Sequence, residues 1–238
     1  MSEDHEKRPL LKMFTQVPPS YDLVNRILTF RMDEQWRKQA AAECLKMNPE
    51  HVLDLCTGTG DLALRLRSSS QPHTSVSALD FSPPMLERAE MKARKRNLAG
   101  INFYHGDVAD MPFTDGQFDA IGIAFAFRNL TFHNPDREKF LREILRVLKP
   151  GGRFVIVETS QPKNKLMQKA FHAYMRWVSA PIGGMLSGHW SAYRYLAHSA
   201  ANYWNSEALS GFLGNSGFSK VDAYPLMGGI STLYVAVK

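Results

Sequence analysis

Along this chain the apolar positions alternate between two patterns. Short continuous apolar runs occur at residues 52–55, 76–80, 101–105, 118–125 and 153–158. Between them lie stretches whose apolar residues recur every three or four positions, such as Phe140, Leu141, Ile144, Leu145 and Leu148. The runs read as buried parallel strands and the periodic stretches as amphipathic helices. Punctuation agrees. Ser82 with Pro83, and Asn134 with Pro135, open helices, and Pro150-Gly151-Gly152 closes one. Near the end, residues 218–224 and 230–237 alternate apolar with polar, and the five residues 225–229 between them predict a hairpin. The pattern predicts a Rossmann-like α/β fold: a seven-stranded, mostly parallel sheet with a C-terminal antiparallel hairpin and helices on both faces.

Two regions sit outside the repeat. Residues 1–17 read as a flexible leader, and residues 18–238 as one domain. Within it, 18–48 form N-terminal helices: one opened by Pro18-Pro19, with Tyr21, Val24, Ile27 and Leu28 on a stripe, and one from about Asp33 with Trp36, Ala40, Cys44 and Met47 on one side, stopped by Pro49. Residues 164–205 are a helical insertion on the substrate side, rich in Met and aromatic residues with Lys and Arg interspersed. Core, pocket wall and bilayer contact all fit this segment.

The chemistry concentrates at residues 51–67. Strand 52–55 runs into Cys56-Thr57-Gly58-Thr59-Gly60, and a helix starts at Asp61. Strand, glycine turn and helix open a nucleotide-binding unit. The turn fits G-x-G-x-x-A, a dinucleotide signature, but Asp54 and Asp61 flank it. Carboxylates there would repel a pyrophosphate and suit the ammonium and sulfonium of S-adenosylmethionine. Asp80, 20 residues past Gly60 at the end of the second strand, is placed for a ribose diol. Asp107, after the third strand, is placed for an adenine amino group. Arg128-Asn129, after the fourth, stands where open α/β sheets bind their ligands. Each has a plainer reading: helix-start and turn carboxylates, and a surface arginine at a helix end.

Composition narrows the class. With 44% hydrophobic residues and no run approaching a membrane span, the chain reads as a soluble globular protein. Two cysteines, Cys44 and Cys56, make a reduced, cytoplasmic setting the default and exclude a metal cluster built on thiolates. His172, His189 and His198 lack ligand spacing. The net charge of +6 suits an anionic membrane surface, but the densest basic cluster, 88–96, has the period of a solvated helix face. No basic, aromatic-studded face argues for nucleic acid.

The tract 52–61 resembles the first cofactor motif of class I S-adenosylmethionine-dependent methyltransferases, and the tracts around Asp80, 106–113, 118–129 and 148–152 resemble their remaining motifs. More narrowly, Tyr21-Asp22-Leu23-Val24-Asn25 with Trp36-Arg37, Phe127-Arg128-Asn129, Tyr193-Arg194-Tyr195-Leu196 with Ser199, and Gly217-Phe218 resemble the ubiquinone/menaquinone biosynthesis C-methyltransferases. The resemblance covers residues 20–238. It implies that Thr59, Asp80, Asp107, Val108 and Ala124 contact S-adenosylmethionine, with Asp54, Gly58 and Gly60 framing the site. Ala126 stands where the family usually has glycine. The implied partner is a prenylated quinol, demethylmenaquinol or the methoxylated benzoquinol of the ubiquinone route, met through transient contact with the inner face of the membrane. A homodimer is compatible with the resemblance, and a methyltransferase of another soluble small molecule is the alternative. On this reading Arg128 stabilises a developing phenolate, Asn129 positions it, and Tyr193 and Tyr195 line the ring pocket.

Overall fold

A computed structural model describes residues 21–238. The expected leader and the Pro18-Pro19 helix start lie outside the described residues. Helices α1 (Tyr21–Leu28) and α2 (Met32–Leu45) precede β1 (His51–Leu55). Then come α3 (Asp61–Ser69), β2 (Ser75–Asp80), α4 (Pro83–Lys95), β3 (Ile101–His105) and β4 (Phe118–Ala124). A short α5 (Phe127–Thr131), α6 (Arg137–Val147) and β5 (Leu148–Thr159) follow. Next are α7 (Lys165–Tyr174), a π-helical turn (Met175–Ser179), α8 (Ala180–Ser187), α9 (Trp190–Ala201) and α10 (Ser206–Asn215). The hairpin β6 (Lys220–Leu226) and β7 (Ser231–Val237) ends the chain.

The seven strands form one sheet in the order β3-β2-β1-β4-β5-β7-β6. The first five are mutually parallel, and β7 runs antiparallel between β5 and β6. Strand order reverses at β1 and β4, so the crevice beyond their carboxyl ends is the natural ligand site.

Side-chain alternation sorts the sheet into unequal faces. One face carries Leu53, Leu55, Ile121, Ile123, Phe154 and Ile156, packed against Phe127, Phe140, Ile144 and Phe218. Fully burying each such phenylalanine contributes about 1.5–3 kcal/mol. The other carries smaller residues, Val52, Ala78, Ala120, Val155 and Val157, under Trp36, Ala40, Cys44 and Leu62 of α2 and α3. A Cβ on Gly122 would sit 3.1 Å from both Cys44 Sγ and Leu62 Cδ2, so these helices ride close to the sheet. Asp54 shares the parity of Val52, which puts it beneath α3.

The structure corrects several sequence expectations. Met47 is exposed, because α2 ends at Leu45 and releases it to solvent. Ser82 does not cap α4 with its side chain; its N–H instead donates to Asp80 Oδ1 at 2.9 Å. Pro150-Gly151-Gly152 lies within β5, at a register shift opposite residues 118–120, rather than before it. Pro225 and Leu226 belong to β6, so the hairpin link is shorter than expected and holds a 3-10 turn (Met227–Gly229). Within the helical insertion, residues 165–187 run without interruption but carry a π-helical turn that the apolar pattern did not signal.

Candidate active site

The glycine turn is organised by two buried carboxylates, one from each strand end. Asp54 Oδ2 accepts from Thr57 Oγ1 at 2.5 Å and from the Ala63 N–H at 2.8 Å, tying β1 to the first turn of α3. Burial raises its pKa to about 7, against the pull of those two hydrogen bonds. Asp80 Oδ2 accepts from the Gly58 N–H at 2.7 Å. Burial raises its pKa as well. Backbone N–H groups of Gly58, Ser82 and Phe81 donate to the Asp80 carboxylate, whose roughly four lone-pair sites leave capacity for a ligand hydroxyl. Gly58 and Gly60 adopt φ of 56° and 82°, which favour glycine. They differ in surroundings: a Cβ on Gly58 would meet nothing within 4 Å, whereas one on Gly60 would strike Ala89 Cβ at 2.7 Å. Gly58 keeps open space over the turn, and Gly60 lets α4 close behind it.

Above the turn, α1 is tied to the glycine turn and to α4, and α4 to α3. Asp22 accepts from Thr59 Oγ1 at 2.7 Å and from Lys92 Nζ at 2.9 Å, and Lys92 also pairs with Asp61. Burial works against the Asp61 charge, but Lys92, Arg37 and Arg26 together hold its carboxyl below the usual range. Lys92, expected on a solvated face, turns inward because two acids meet it there; Arg94 and Glu90 do pair on the exposed side, at 3.1 Å.

At the end of β4, Arg128 is buried, 4% exposed. Its Nη1 donates to Glu158 Oε1 at 2.7 Å and to Thr159 Oγ1 at 3.1 Å, and its Nε to Ser199 Oγ at 3.0 Å. Glu158 Oε2 also accepts the Arg128 backbone N–H at 3.0 Å. The guanidinium is therefore fixed in orientation, and its charge is balanced by a fully buried carboxylate. Burial raises the Tyr195 pKa, so its phenol stays protonated.

One cavity of about 1400 Å³ joins these parts. Its walls include Asp54, Gly58, Thr59, Asp80, Asp107, Val108, Ala124, Arg128, Asn129 and Tyr195 from the sequence-predicted set. Small-molecule pockets span roughly 300–1,000 Å³, so there is room for a cofactor and an acceptor together. Gly60 backs the turn instead of walling the cavity. Tyr193, expected beside Tyr195, is a correction: it lies outside the cavity walls and packs on Val24 and Leu28, its ring filling the space over Gly183. On α9 two residues separate by about 200°, so neighbours of that spacing face opposite ways.

Sequence reasoning missed Glu158 and Lys92 as site residues, and noted Asp22, Arg37 and Ser199 only as parts of a resemblance. Glu158 had a readable signal, an acid ending a buried strand as Asp54 and Asp80 do. Lys92 had none, since its partners come from 31 and 70 residues away.

Comparison with known proteins places this geometry. The model of the ubiE/COQ5 methyltransferase family matches residues 1–238. A demethylmenaquinone methyltransferase of Thermus thermophilus is 43% identical over 207 residues, 87% of this chain and 91% of the relative. One from Thermotoga maritima is 40% identical over 96% of both chains. A ubiquinone/menaquinone biosynthesis C-methyltransferase UbiE of Geotalea daltonii is 36% identical over 100% of this chain and 99% of its own. Among solved structures, a SAM-dependent methyltransferase from Aquifex aeolicus shares the fold at a TM-score of 0.59 and 19% identity, covering 97% of this chain and 98% of its own. A full-length family match, close relatives along nearly the whole chain and a cavity built on the acid-flanked glycine turn agree: the chain belongs to the ubiE/COQ5 methyltransferase family.

Proposed function

We propose that this enzyme methylates a ring carbon of a prenylated quinol with S-adenosylmethionine, demethylmenaquinol first, with the methoxylated benzoquinol of the ubiquinone route as second acceptor. The observation that carries this reading is a single cavity running from the glycine turn to the Arg128–Glu158 pair and on to apolar walls from Met167, Phe171, Tyr174 and Met175. Its lining suits the cofactor: open space over Gly58, Asp80 with lone pairs left for the ribose, and Asp107 and Val108 at the base site. When bound, the cofactor supplies a sulfonium-activated methyl group. The names of the curated relatives carry the acceptor class.

In this reading Arg128 donates a hydrogen bond to a quinol oxygen as that oxygen gains negative charge. With a pKa above ~12 it is no base. Glu158 and Ser199 hold its planar group at a fixed angle, Asn129 orients the same oxygen, and Tyr195 donates from its neutral phenol. Helices α7 to α9 shield the reacting atoms from water.

A prenyl tail needs an apolar exit. Phe30, Met167 and Met227 wall the cavity and are also exposed outside it. Leu166 and Trp177 stand 78% and 69% exposed nearby in sequence, and residues 160–205 contain five Lys and Arg and no Asp or Glu. That combination supports peripheral binding to an anionic bilayer. No helix among the described residues is long and apolar enough to cross a membrane.

The test is methyl transfer from labelled S-adenosylmethionine to each quinol in detergent, with the position of the new carbon read by NMR. Carbon methylation of either ring is expected. Methylation of soluble acceptors with neither quinol touched would overturn the reading in favour of a soluble small-molecule methyltransferase.

A further inference from the structure

The cofactor's amino-acid tail carries an ammonium and a carboxylate, and the walls around the glycine turn are heavily acidic: Asp22, Asp54, Asp61 and Asp80. These suit the ammonium and the sulfonium and repel the carboxylate. A carboxylate leaving water needs hydrogen bonds to replace it, and a guanidinium or ammonium supplies the strongest.

Only two Lys or Arg side chains wall the cavity among the described residues, Arg37 and Arg128. Arg128 is matched to Glu158 on the acceptor side. Lys92, though close to the turn, is outside the cavity walls and spreads its ammonium over Asp22, Thr59 and Asp61. Arg26 is taken by Glu34 at 3.0 Å and Asp61 at 3.5 Å. That leaves Arg37.

Arg37 is built to present its guanidinium. Nη1 pairs with the buried Asp33, whose other oxygen accepts from Thr29 Oγ1 at 2.6 Å. The Arg37 Cζ lies 5.1 Å from the centre of the Phe125 ring, and that ring also meets Trp36 at 5.9 Å. Phe125 has φ of 58°, an uncommon conformation for an aromatic residue, at the point where β4 leaves the sheet. Strain of this kind marks places where the surroundings dictate the backbone, and here it sets a cation–π platform at the cavity wall. Nη1 to Asp33 is the hydrogen bond Arg37 makes among the described residues, so Nη2 and Nε remain as donors. The charge is felt at the turn, where it favours the ionised forms of both Asp54 and Asp61.

We propose that Arg37, held by Asp33 and seated on Phe125, anchors the carboxylate of the cofactor's amino-acid tail. The proposal rests on the cofactor reading above and adds the residue that orients the tail.

The test is calorimetric and needs no turnover. Three ligands are titrated into wild type, Arg37→Gln and Arg37→Lys: S-adenosylhomocysteine, decarboxylated S-adenosylmethionine, and 5′-methylthioadenosine. The first has the ammonium and the carboxylate on a thioether, the second lacks the carboxylate but keeps the ammonium and the sulfonium, and the third lacks the amino-acid tail. Arg37→Gln should weaken S-adenosylhomocysteine by about tenfold to a hundredfold, the scale of a charge-assisted hydrogen bond, and leave the other two within about twofold. Arg37→Lys should recover part of the loss. It also keeps a cation beside Asp33, so it supplies the comparison if Arg37→Gln does not fold. An equal loss for all three ligands would make Arg37 structural and overturn the proposal. No binding of any of them by wild type would instead bring down the cofactor reading itself.

Discussion

Arg128 and Glu158 are two side chains whose meaning depends on being taken together. Arg128→Ala would strand a fully buried carboxylate, and Glu158→Gln an almost fully buried guanidinium. Breaking such a pair from one side costs about 3–5 kcal/mol. Either single variant should therefore melt well below wild type, and a fall in activity alone would not reveal its cause. The informative chain is Arg128→Gln with Glu158→Gln. It should recover most of the lost melting temperature while single-turnover methyl transfer stays depressed, by ~10²-fold on the scale of losing one oxyanion donor. If the rate returned with the stability, Arg128 would be a structural residue. Asp54 allows a different measurement. In the fold its carboxyl has a pKa of about 7, against the ordinary aspartate value of 3.8. The folded chain therefore binds that proton more tightly than the unfolded chain, and stability falls as pH rises through this window, then stays at the lower value. Asp54→Asn keeps an oxygen for Thr57 and Ala63 and cannot titrate. Its denaturation midpoint should depend less steeply on pH between those values; an unchanged slope would show that Asp54 is not the group responsible.

At the scale of elements, the glycine turn separates fold from ligand. Gly60→Ala drives a methyl into Ala89 and adds strain at a positive φ, so it should destabilise the chain by about 1–3 kcal/mol. Gly58→Ala faces open space and carries only the backbone cost, about 1–2 kcal/mol, while its methyl fills room over the turn. Calorimetry should show S-adenosylhomocysteine affinity falling more for Gly58→Ala, and melting temperature falling more for Gly60→Ala. The reverse order would mean that the ligand does not lie over Gly58. Most elements were legible because their signals are local: β3 falls at residues 101–105 as expected, and α3 begins at Asp61 as expected. The π turn at Met175–Ser179 was not. Its apolar spacing is that of an ordinary helix, and one extra residue in a turn leaves no local signature. Ordinary helical spacing sorts the apolar residues of this stretch into two faces, with Phe171 and Met175 buried and Leu166 and Trp177 exposed.

For the whole molecule, the consequence of that sorting is an exposed apolar face beside a basic, acid-free segment. Flotation with anionic liposomes should recover part of the protein, and less at high salt. Leu166→Ser with Trp177→Ser should reduce recovery while leaving methylation of a short-tailed quinol in detergent near wild type. Undiminished flotation of that variant would move the contact elsewhere on the surface.

The sequence by itself determined the sheet, its parallel core and closing hairpin, and the strand-end positions of Asp54, Asp80, Asp107 and Arg128. Each follows from patterns within about ten residues: side-chain period, turn chemistry, and an acid or base where an apolar run stops. Tertiary structure decided the partners. Asp54 was expected to face a ligand charge; it does wall the cavity, and strand parity also gives it Thr57 and Ala63 as hydrogen-bond partners beneath α3. Arg128 was expected to offer its charge to the acceptor or to a helix end; Glu158 and Ser199 reach it from 30 and 71 residues away. Tyr193 and Tyr195 looked equivalent, and packing assigned one to the core and the other to the cavity. Hydrophobic periodicity records which side of an element is buried. It holds no information about which charge comes to lie opposite another once distant segments meet, and it is those encounters that set how each ionisable group in the cavity behaves.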